Sequence, residues 1–466
     1  MAHLKKCFFR TSICILTFYI LLLVYRFPKR NISSEICNIT EIADASITPL
    51  KDNITFVLNA YYDNRERNIV RIIAIVHYHD VKKLFCWFHC TTYPRHTFIT
   101  SAEIDFHSDR FGFPYGTADL VCSMPEDCKP KYLSVHWSLE GKIDQLPVFE
   151  IKNLRQVPLD ANFSICMSAL YGSYSNALQL IQTIEMYKLL GAQKVMIYTL
   201  HHNCCSEAVE EVLQHYIKER TLEVIRWPID LYFHVSQRWK HSSSGATNIG
   251  YYGQVAALND CLYRNMYRTR FLLLNDIDEI ILPFKHKDWH SMMEVLQEQY
   301  PSAATFLFEN HVFPITVLDS TVSMPSWDKI PGVNMLQCVY RKPKAENSRN
   351  HKMLIIARKV TRVSIHTVLI ASGGSHLVSS DIAILRHCKK TPQPLRPEEQ
   401  LIRDTTIWRY KEPLTQNVNK TIDIITKLIK DKVMVSVLIP EEYSSQLKQY
   451  KGPDLELSKR VTLSQR

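Results

Sequence analysis

Three carboxylates in four residues interrupt an apolar run between positions 271 and 282, and this juxtaposition limits the folds open to the chain more than any other feature. Phe271, Leu272, Leu273 and Leu274 lead through Asn275 into Asp276, Ile277, Asp278 and Glu279, after which Ile280, Ile281 and Leu282 resume the apolar pattern. Desolvating carboxylates against leucine and isoleucine is costly unless a countercharge meets them. In the two-residue repeat of a strand, Asp276 and Asp278 point the same way while Ile277 points into the core, so both can meet one cation. Hard oxygen ligands beside phosphate suit a divalent metal. An Asp-x-Asp triplet is common in solvated turns, and its place at the end of a buried strand is what gives this one weight.

The surrounding rhythm is that of alternating strands and helices. Phe163 to Leu170 reads as a strand, and Ser175 to Leu190 carries Leu178, Ile181, Ile184 and Tyr187 at helical spacing before Gly191 ends it. A strand from Lys194 to Thr199, a helix from Glu207 to Arg220 capped by Ser206, and a strand from Leu222 to Trp227 follow. After a polar loop from His234 to Gly250, a helix from Tyr252 to Tyr267 leads into the strand that delivers the acids. The expected class is α/β with parallel units, and the acids fall at a strand's carboxyl end, where open α/β sheets bind ligands. The preceding hundred residues differ. Runs from Ile54 to Tyr61, Val70 to Tyr78, Leu84 to Cys90 and Tyr132 to Trp137 are β-branched and aromatic, predicting a small β-rich, sandwich-like domain that binds or braces.

At the N-terminus, Lys5, Lys6 and Arg10 precede an uncharged run from Thr11 to Tyr25 that Arg26, Lys29 and Arg30 close. As a helix it would reach about 22 Å, and snorkelling arginines extend it toward the ~30 Å of a bilayer core. No small-residue cleavage site follows, so the segment reads as an uncleaved signal anchor. The expected order is a cytoplasmic tail over 1–10, a transmembrane anchor over 11–27, a stem over 28–53, the β-rich domain over 54–155, the α/β domain over 156–440 and a C-terminal tail over 441–466. Acceptor sequons at Asn31, Asn38, Asn53, Asn162 and Asn419, with 11 of the 13 cysteines after the anchor, suit an oxidising lumen. Eleven is odd, which leaves at least one thiol free or paired between the two chains of a homodimer. The net charge of +10 is spread along the chain rather than gathered into a Lys/Arg block, which argues against nucleic acid as a partner.

Four blocks, in this order, resemble glycosyltransferase family 92: Cys166 to Gly172, Ile184 to Tyr198, Gly253 and Gln254 with Asn259 to Arg264, and Asn275 to Ile280. The resemblance implies an inverting, metal-dependent transferase with a GT-A type nucleotide-sugar-binding domain, held in the Golgi membrane as a single-pass type II protein. It also implies UDP-galactose as donor, a β-1,4 link to a glycan or glycoprotein acceptor, and manganese (Mn2+) held by Asp276 and Asp278 with a late histidine. His366 is the histidine that the resemblance favours, and His387 is the second choice. Glu279 is expected to orient a neighbour or cap the next turn.

Inversion requires a base for the acceptor hydroxyl. The candidates are Glu309, which follows an apolar strand, and Asp328 beside Trp327, an indole suited to a sugar face. For the nucleotide, Ala169, Tyr171 and Gly172 are placed near uracil and ribose, Arg226 near phosphate, and Gln254 and Asp260 on the helix before the metal strand. Two other classes fit parts of the pattern. A membrane-anchored lectin-like ectodomain with structural calcium would gather more oxygen ligands from one loop. A metal-dependent phosphodiester hydrolase would show further His/Asp clusters for a second metal.

Overall fold

The structure, a computed structural model, describes residues 46–438 apart from 91–96, 142–144, 156, 173, 201–204, 239, 242–245, 329, 344–349 and 392–399. The expected anchor, most of the stem and the C-terminal tail lie outside the described residues. Among the described residues no helix is long and apolar enough to cross a membrane.

The β-branched segments of the first third form a nine-stranded sheet of β1 (Thr48–Pro49), β2 (Thr55–Asp63), β3 (Ile69–His77), β4 (Phe85–His89), β5 (Thr97–Ser101), β6 (Glu103–Phe106), β7 (Tyr115–Ser123), β8 (Tyr132–His136) and β9 (Phe149–Lys152). Its order is β5-β4-β8-β9-β2-β3-β7-β6, with β1 beside β2. Strands β4 and β7 are far apart in that order, yet Cys86 of β4 is bridged to Cys122 of β7 with Cα atoms 6.3 Å apart. The sheet therefore curls until its two ends face each other, in the manner of a sandwich. Strand β3 is buried on both faces, which explains its unbroken apolar sequence. Val70, Ile72 and Ala74 fill the sandwich interior, whereas Ile73 and Ile75 join a second cluster shared with the next domain.

The second domain begins with β10 (Ala161–Leu170), α1 (Ala177–Leu190), β11 (Lys194–Thr199), α2 (Glu207–Lys218), β12 (Leu222–Arg226), the single-turn α3 (Ile229–Tyr232), α4 (Gln254–Asn265) and β13 (Thr269–Asn275). It continues through β14 (Glu279–Pro283), α5 (Trp289–Gln299), β15 (Ala303–Pro314), β16 (Tyr340–Arg341), β17 (His351–Ile356), β18 (Val360–Val363), β19 (Val368–Ala371), β20 (Gly374–Leu377), β21 (Ala383–Lys389), β22 (Ile402–Arg403) and α6 (Lys411–Leu438). The sheet order is β12-β11-β10-β13-β17-β15-β21-β14, with β20 beside β15. The first four strands are parallel, as the alternating sequence predicts, and β17 turns the sheet antiparallel.

Local chemistry sets the helix ends. Asn176 Oδ1 accepts from the Gln179 N–H at the start of α1, and Gly191, with φ of 103°, closes it in the left-handed region. Helix α4 lies between the two sheets, where Ala256 and Leu258 pack in one cluster with Phe56, Leu58 and Ile73. The Cys166–Cys261 disulfide ties this helix to β10 across 95 residues of sequence, a constraint worth roughly 4 kcal/mol against the unfolded chain.

Candidate active site

Strands β10 and β13 end side by side, with Met167 opposite Asn275. Leu272, Leu273 and Leu274 are each at most 1% exposed, and burying each contributes about 2 kcal/mol, so the strand is fixed and so is the point where it must release its acids. The strand repeat expected to align Asp276 with Asp278 does not extend that far. It stops at Asn275, and a turn follows in which the Glu279 N–H donates to the Asp276 carbonyl at 3.2 Å. Asn275 locks the turn by donating from its side-chain amide to the Tyr187 hydroxyl (2.8 Å) and the Glu279 carbonyl (2.7 Å), while Thr183 donates to the Ile277 carbonyl at 2.8 Å. Helix α1 thus holds the acidic turn in place.

Two cationic side chains meet the three acids. Lys352 of β17, only 2% exposed, sets its ammonium 2.7 Å from Asp276 Oδ2 and 3.1 Å from Glu279 Oε2. His387 of β21 sets Nε2 3.0 Å from Asp278 Oδ2 and Nδ1 3.2 Å from Glu279 Oε1. The β14–β21 register places Glu279 directly opposite His387. Burial opposes the charged form of Lys352, but Asp276 and Glu279 outweigh it and raise the ammonium well above its usual range. Burial would raise Asp276, yet the charge and hydrogen bond of Lys352 hold its carboxyl below the usual value. For Glu279 burial prevails over Lys352, so its carboxyl is raised. Burial opposes the imidazolium of His387, but the hydrogen bond and charge of Asp278 and the charge of Glu279 raise it.

Of the residues singled out in the sequence, the structure gathers Asp276, Asp278, Glu279 and Gln254, and of the two histidines it is the second choice, His387, that bonds to Asp278, whereas His366 bonds to the His351 carbonyl. Gln254 Nε2 donates to Ser168 Oγ (2.5 Å) and to Asp276 Oδ1 (3.2 Å). The chain reaches Gln254 through Tyr251, Tyr252 and Gly253, with φ of 39°, 53° and 68°; two non-glycine residues in the left-handed region are a local strain of the kind that functional sites hold. Tyr171, just past the end of β10, stacks on Tyr252 with ring centroids 4.2 Å apart. Ala169 and Gly172 flank the same strand end, Ala169 half-buried and Gly172 with φ of 69°. His366 Nδ1 lies 3.0 Å from the His351 carbonyl, and burial, with the charge of Lys352, holds the imidazole below its usual value and so neutral. Its charge state is felt at Asp276.

Four other candidates are not brought to the acids. Arg226 is exposed at the end of β12, with β11 and β10 between it and β13. Asp260 is a structural tie: Asn59, Tyr61 and Tyr198 donate to its carboxylate at 2.7 Å each, and Arg264 pairs with it at 3.2 Å. Burial would raise Asp260, but Arg264 and the tyrosine hydroxyls hold it low. Glu309 pairs in register with His351, and Phe308 with Lys352, so alternation turns Glu309 to the opposite face from Lys352, where the Ser380 hydroxyl donates to it. Asp328 is exposed, and Trp327 beside it is a core residue, 1% exposed, whose indole N–H donates to Asn419 Oδ1 at 2.7 Å. Asp260→Asn is therefore expected to cost about 3 kcal/mol of stability, because Asn59, Tyr61 and Tyr198 lose a charged acceptor and Arg264 keeps only its longer contact with Glu223. Thermal melts of the variant measure the loss.

The donor types suit a divalent cation in part. Asp276 and Asp278 remain 37% and 27% exposed, and the His366 Nδ1 contact with a carbonyl is the arrangement that presents Nε2 to a metal. Against this, Lys352 already holds the inner oxygen of Asp276, and among the described residues no three His, Cys, Asp or Glu side chains converge as a metal cluster. The set fits an ion held by one or two carboxylates and completed by substrate phosphates. Sequence reasoning missed Lys352, Ser168 and Tyr252.

Part-exposed carboxylates at the carboxyl end of a parallel strand lie where open α/β sheets take ligands, and a family match gives this mixed α/β fold its glycosyltransferase-like class. Residues 161–420 match Glycosyltransferase family 92, more than half of the chain, and the chain belongs to that family. It is 24% identical over 272 residues to Beta-1,4-galactosyltransferase galt-1 of Caenorhabditis elegans, covering 54% of this chain and 59% of the relative. It is likewise 24% identical over 230 residues to a Glycosyltransferase family 92 protein of the same organism, covering 49% of this chain and 41% of that one. The chain spans about half the length of these curated relatives. Among solved structures, the WbbM bifunctional glycosyltransferase in its apo form is similar at 11% identity and a TM-score of 0.21, over 47% of this chain and 36% of that one, too loose a superposition to carry an argument.

Proposed function

We propose that this glycosyltransferase moves galactose from UDP-galactose to a glycan or glycoprotein acceptor with inversion, forming a β-1,4 link, in the Golgi lumen behind an N-terminal anchor. The observation that carries the reading is the pair of part-exposed carboxylates, Asp276 and Asp278, at the edge where open α/β sheets take nucleotide ligands. The galactosyltransferase name of the nematode relative supports the choice of sugar and link. A GT-A type arrangement accounts for the parallel strands that lead to the turn.

Asp276 and Asp278, with His366 as the histidine the family resemblance favours, would hold manganese together with the donor diphosphate; the bound ion would supply positive charge against the departing UDP. The chain's own side chains prepare the site. Lys352 keeps Asp276 ionised and, with Gln254, fixes where both its oxygens point. His387 orients Asp278 through Nε2. The stacked pair of Tyr171 and Tyr252 offers an aromatic edge at the height of the strand ends, suited to a nucleobase.

A two-carboxylate set leads to a specific expectation for binding. Manganese titrated calorimetrically into the full chain should bind at least tenfold more tightly when UDP is present, and Asp278→Asn should abolish the gain, on the ground that phosphates complete the coordination. Equal affinity with and without UDP would mean that the protein alone forms the metal site, against this reading.

A further inference from the structure

Cys338 and Cys388 lie outside the three disulfides of the described residues, and they come together. Cys338 and Cys388 share a small apolar cluster with Phe313 and Ile384, and a hydrogen bond runs between the two thiols. Arg386 spans the pair, donating from Nη1 to Cys388 Sγ at 2.8 Å and from Nη2 to the Cys338 carbonyl. Cys388 is half-buried whereas Cys338 is 1% exposed, so a reagent from solvent meets Cys388 first. Both cysteines also line a small cavity shared with Asp278, Asn176 and Gln179.

We propose that Cys388 is a thiol-modification site that takes small-molecule or protein disulfides, and that Cys338 resolves the adduct into an internal Cys338–Cys388 bridge. The Cys388 thiolate attacks one sulfur of the incoming disulfide, forming a mixed disulfide and releasing one thiolate. The Cys338 thiolate then attacks Cys388 Sγ and releases the second. The two protons given up by the cysteines end on the two released thiolates, and the incoming disulfide is reduced by two electrons.

The location gives the bridge a consequence for the acidic turn. The Cys388 N–H donates to the Asp278 carbonyl at 3.0 Å, and the preceding residue, His387, holds the Asp278 carboxylate. Joining Cys388 to Cys338 pins this part of β21 to the segment after Met335–Gln337, which Gln182 of helix α1 also holds by accepting from the Met335 N–H, and so restrains the turn.

The test is a covalent map of the full chain. The protein is briefly reduced, incubated with oxidised glutathione while folded, quenched in denaturant with N-ethylmaleimide, digested without reduction and read by mass spectrometry. Expected is a joint loss of label at Cys338 and Cys388, with their peptides linked in most of the chains, and a glutathione adduct at Cys388 in Cys338→Ser. The proposal is overturned if both thiols stay labelled in the wild-type protein, or if Cys388 links to a different cysteine. Since the wild-type map needs neither donor nor acceptor, its outcome is independent of the transferase reading.

Discussion

Asp278→Asn is expected to lower the proposed galactosyl transfer by roughly 10²–10³-fold, the loss typical of removing one group that stabilises charge developing in a transition state. The variant should fold, because Asp278 is 27% exposed and an asparagine oxygen can still accept from His387 Nε2 at the 3.0 Å now seen. What it removes is charge. In the wild-type protein His387 is raised above its ordinary 6.5 by Asp278 and Glu279, in spite of burial, so its contribution to stability is fully present below pH 6.5 and is lost as pH rises through the folded value. Without the Asp278 charge that contribution shrinks. Urea midpoints at pH 6 and pH 8 should therefore lie closer together in Asp278→Asn than in wild type, and transfer rates at one pH give the catalytic loss separately.

Lys352→Met is expected to have the larger effect on stability, about 3–5 kcal/mol, because it removes the ammonium that meets the buried Glu279 and the part-exposed Asp276. Glu279 is 2% exposed and already raised by burial despite Lys352, so losing the ammonium drives its carboxyl further up, and Asp276 with it. For Asp276 the pH dependence then changes sign. In the wild-type protein the lowered Asp276 contributes stability that is present above its ordinary 3.8 and lost as pH falls through the folded value. In Lys352→Met the raised carboxyls favour folding in acid and lose that benefit as pH rises, so the deficit against wild type should be smaller at pH 5 than at pH 7.5. Thermal melts at both pH values check this, and added manganese with UDP should recover part of the loss if the cation takes over the countercharge.

The sequence reveals the α/β rhythm because each helix carries its own apolar spacing and its own stop, as at Gly191, and because β13 is an unbroken apolar strand. It reveals the acids for the same reason. Lys352 is silent in the sequence, since a lysine ahead of Met353, Leu354 and Ile355 reads as the wet end of a strand; only the antiparallel pairing of β17 with β13 carries it to Asp276. Asp260 looks like a ligand on a helix before the site, yet its partners Asn59 and Tyr61 belong to the other sheet, a contact without local signature. Glu309 differs from a site residue by one step of register, which in a strand is a change of face. The turn at Asp276 to Asp278 replaces the expected strand repeat because Asn275 and Thr183 supply side-chain bonds that end the ladder there.

Galactosyl transfer from UDP-galactose at the Asp276–Asp278 turn is measured by incubating the full chain and Asp278→Asn with manganese, a glycan acceptor array and a panel of UDP-sugars, and reading mass addition to the acceptors. One added hexose with UDP-galactose, dependent on the metal and lost in the variant, is the expected result. Preference for a different UDP-sugar, or full transfer by Asp278→Asn, would overturn the proposed role of the turn.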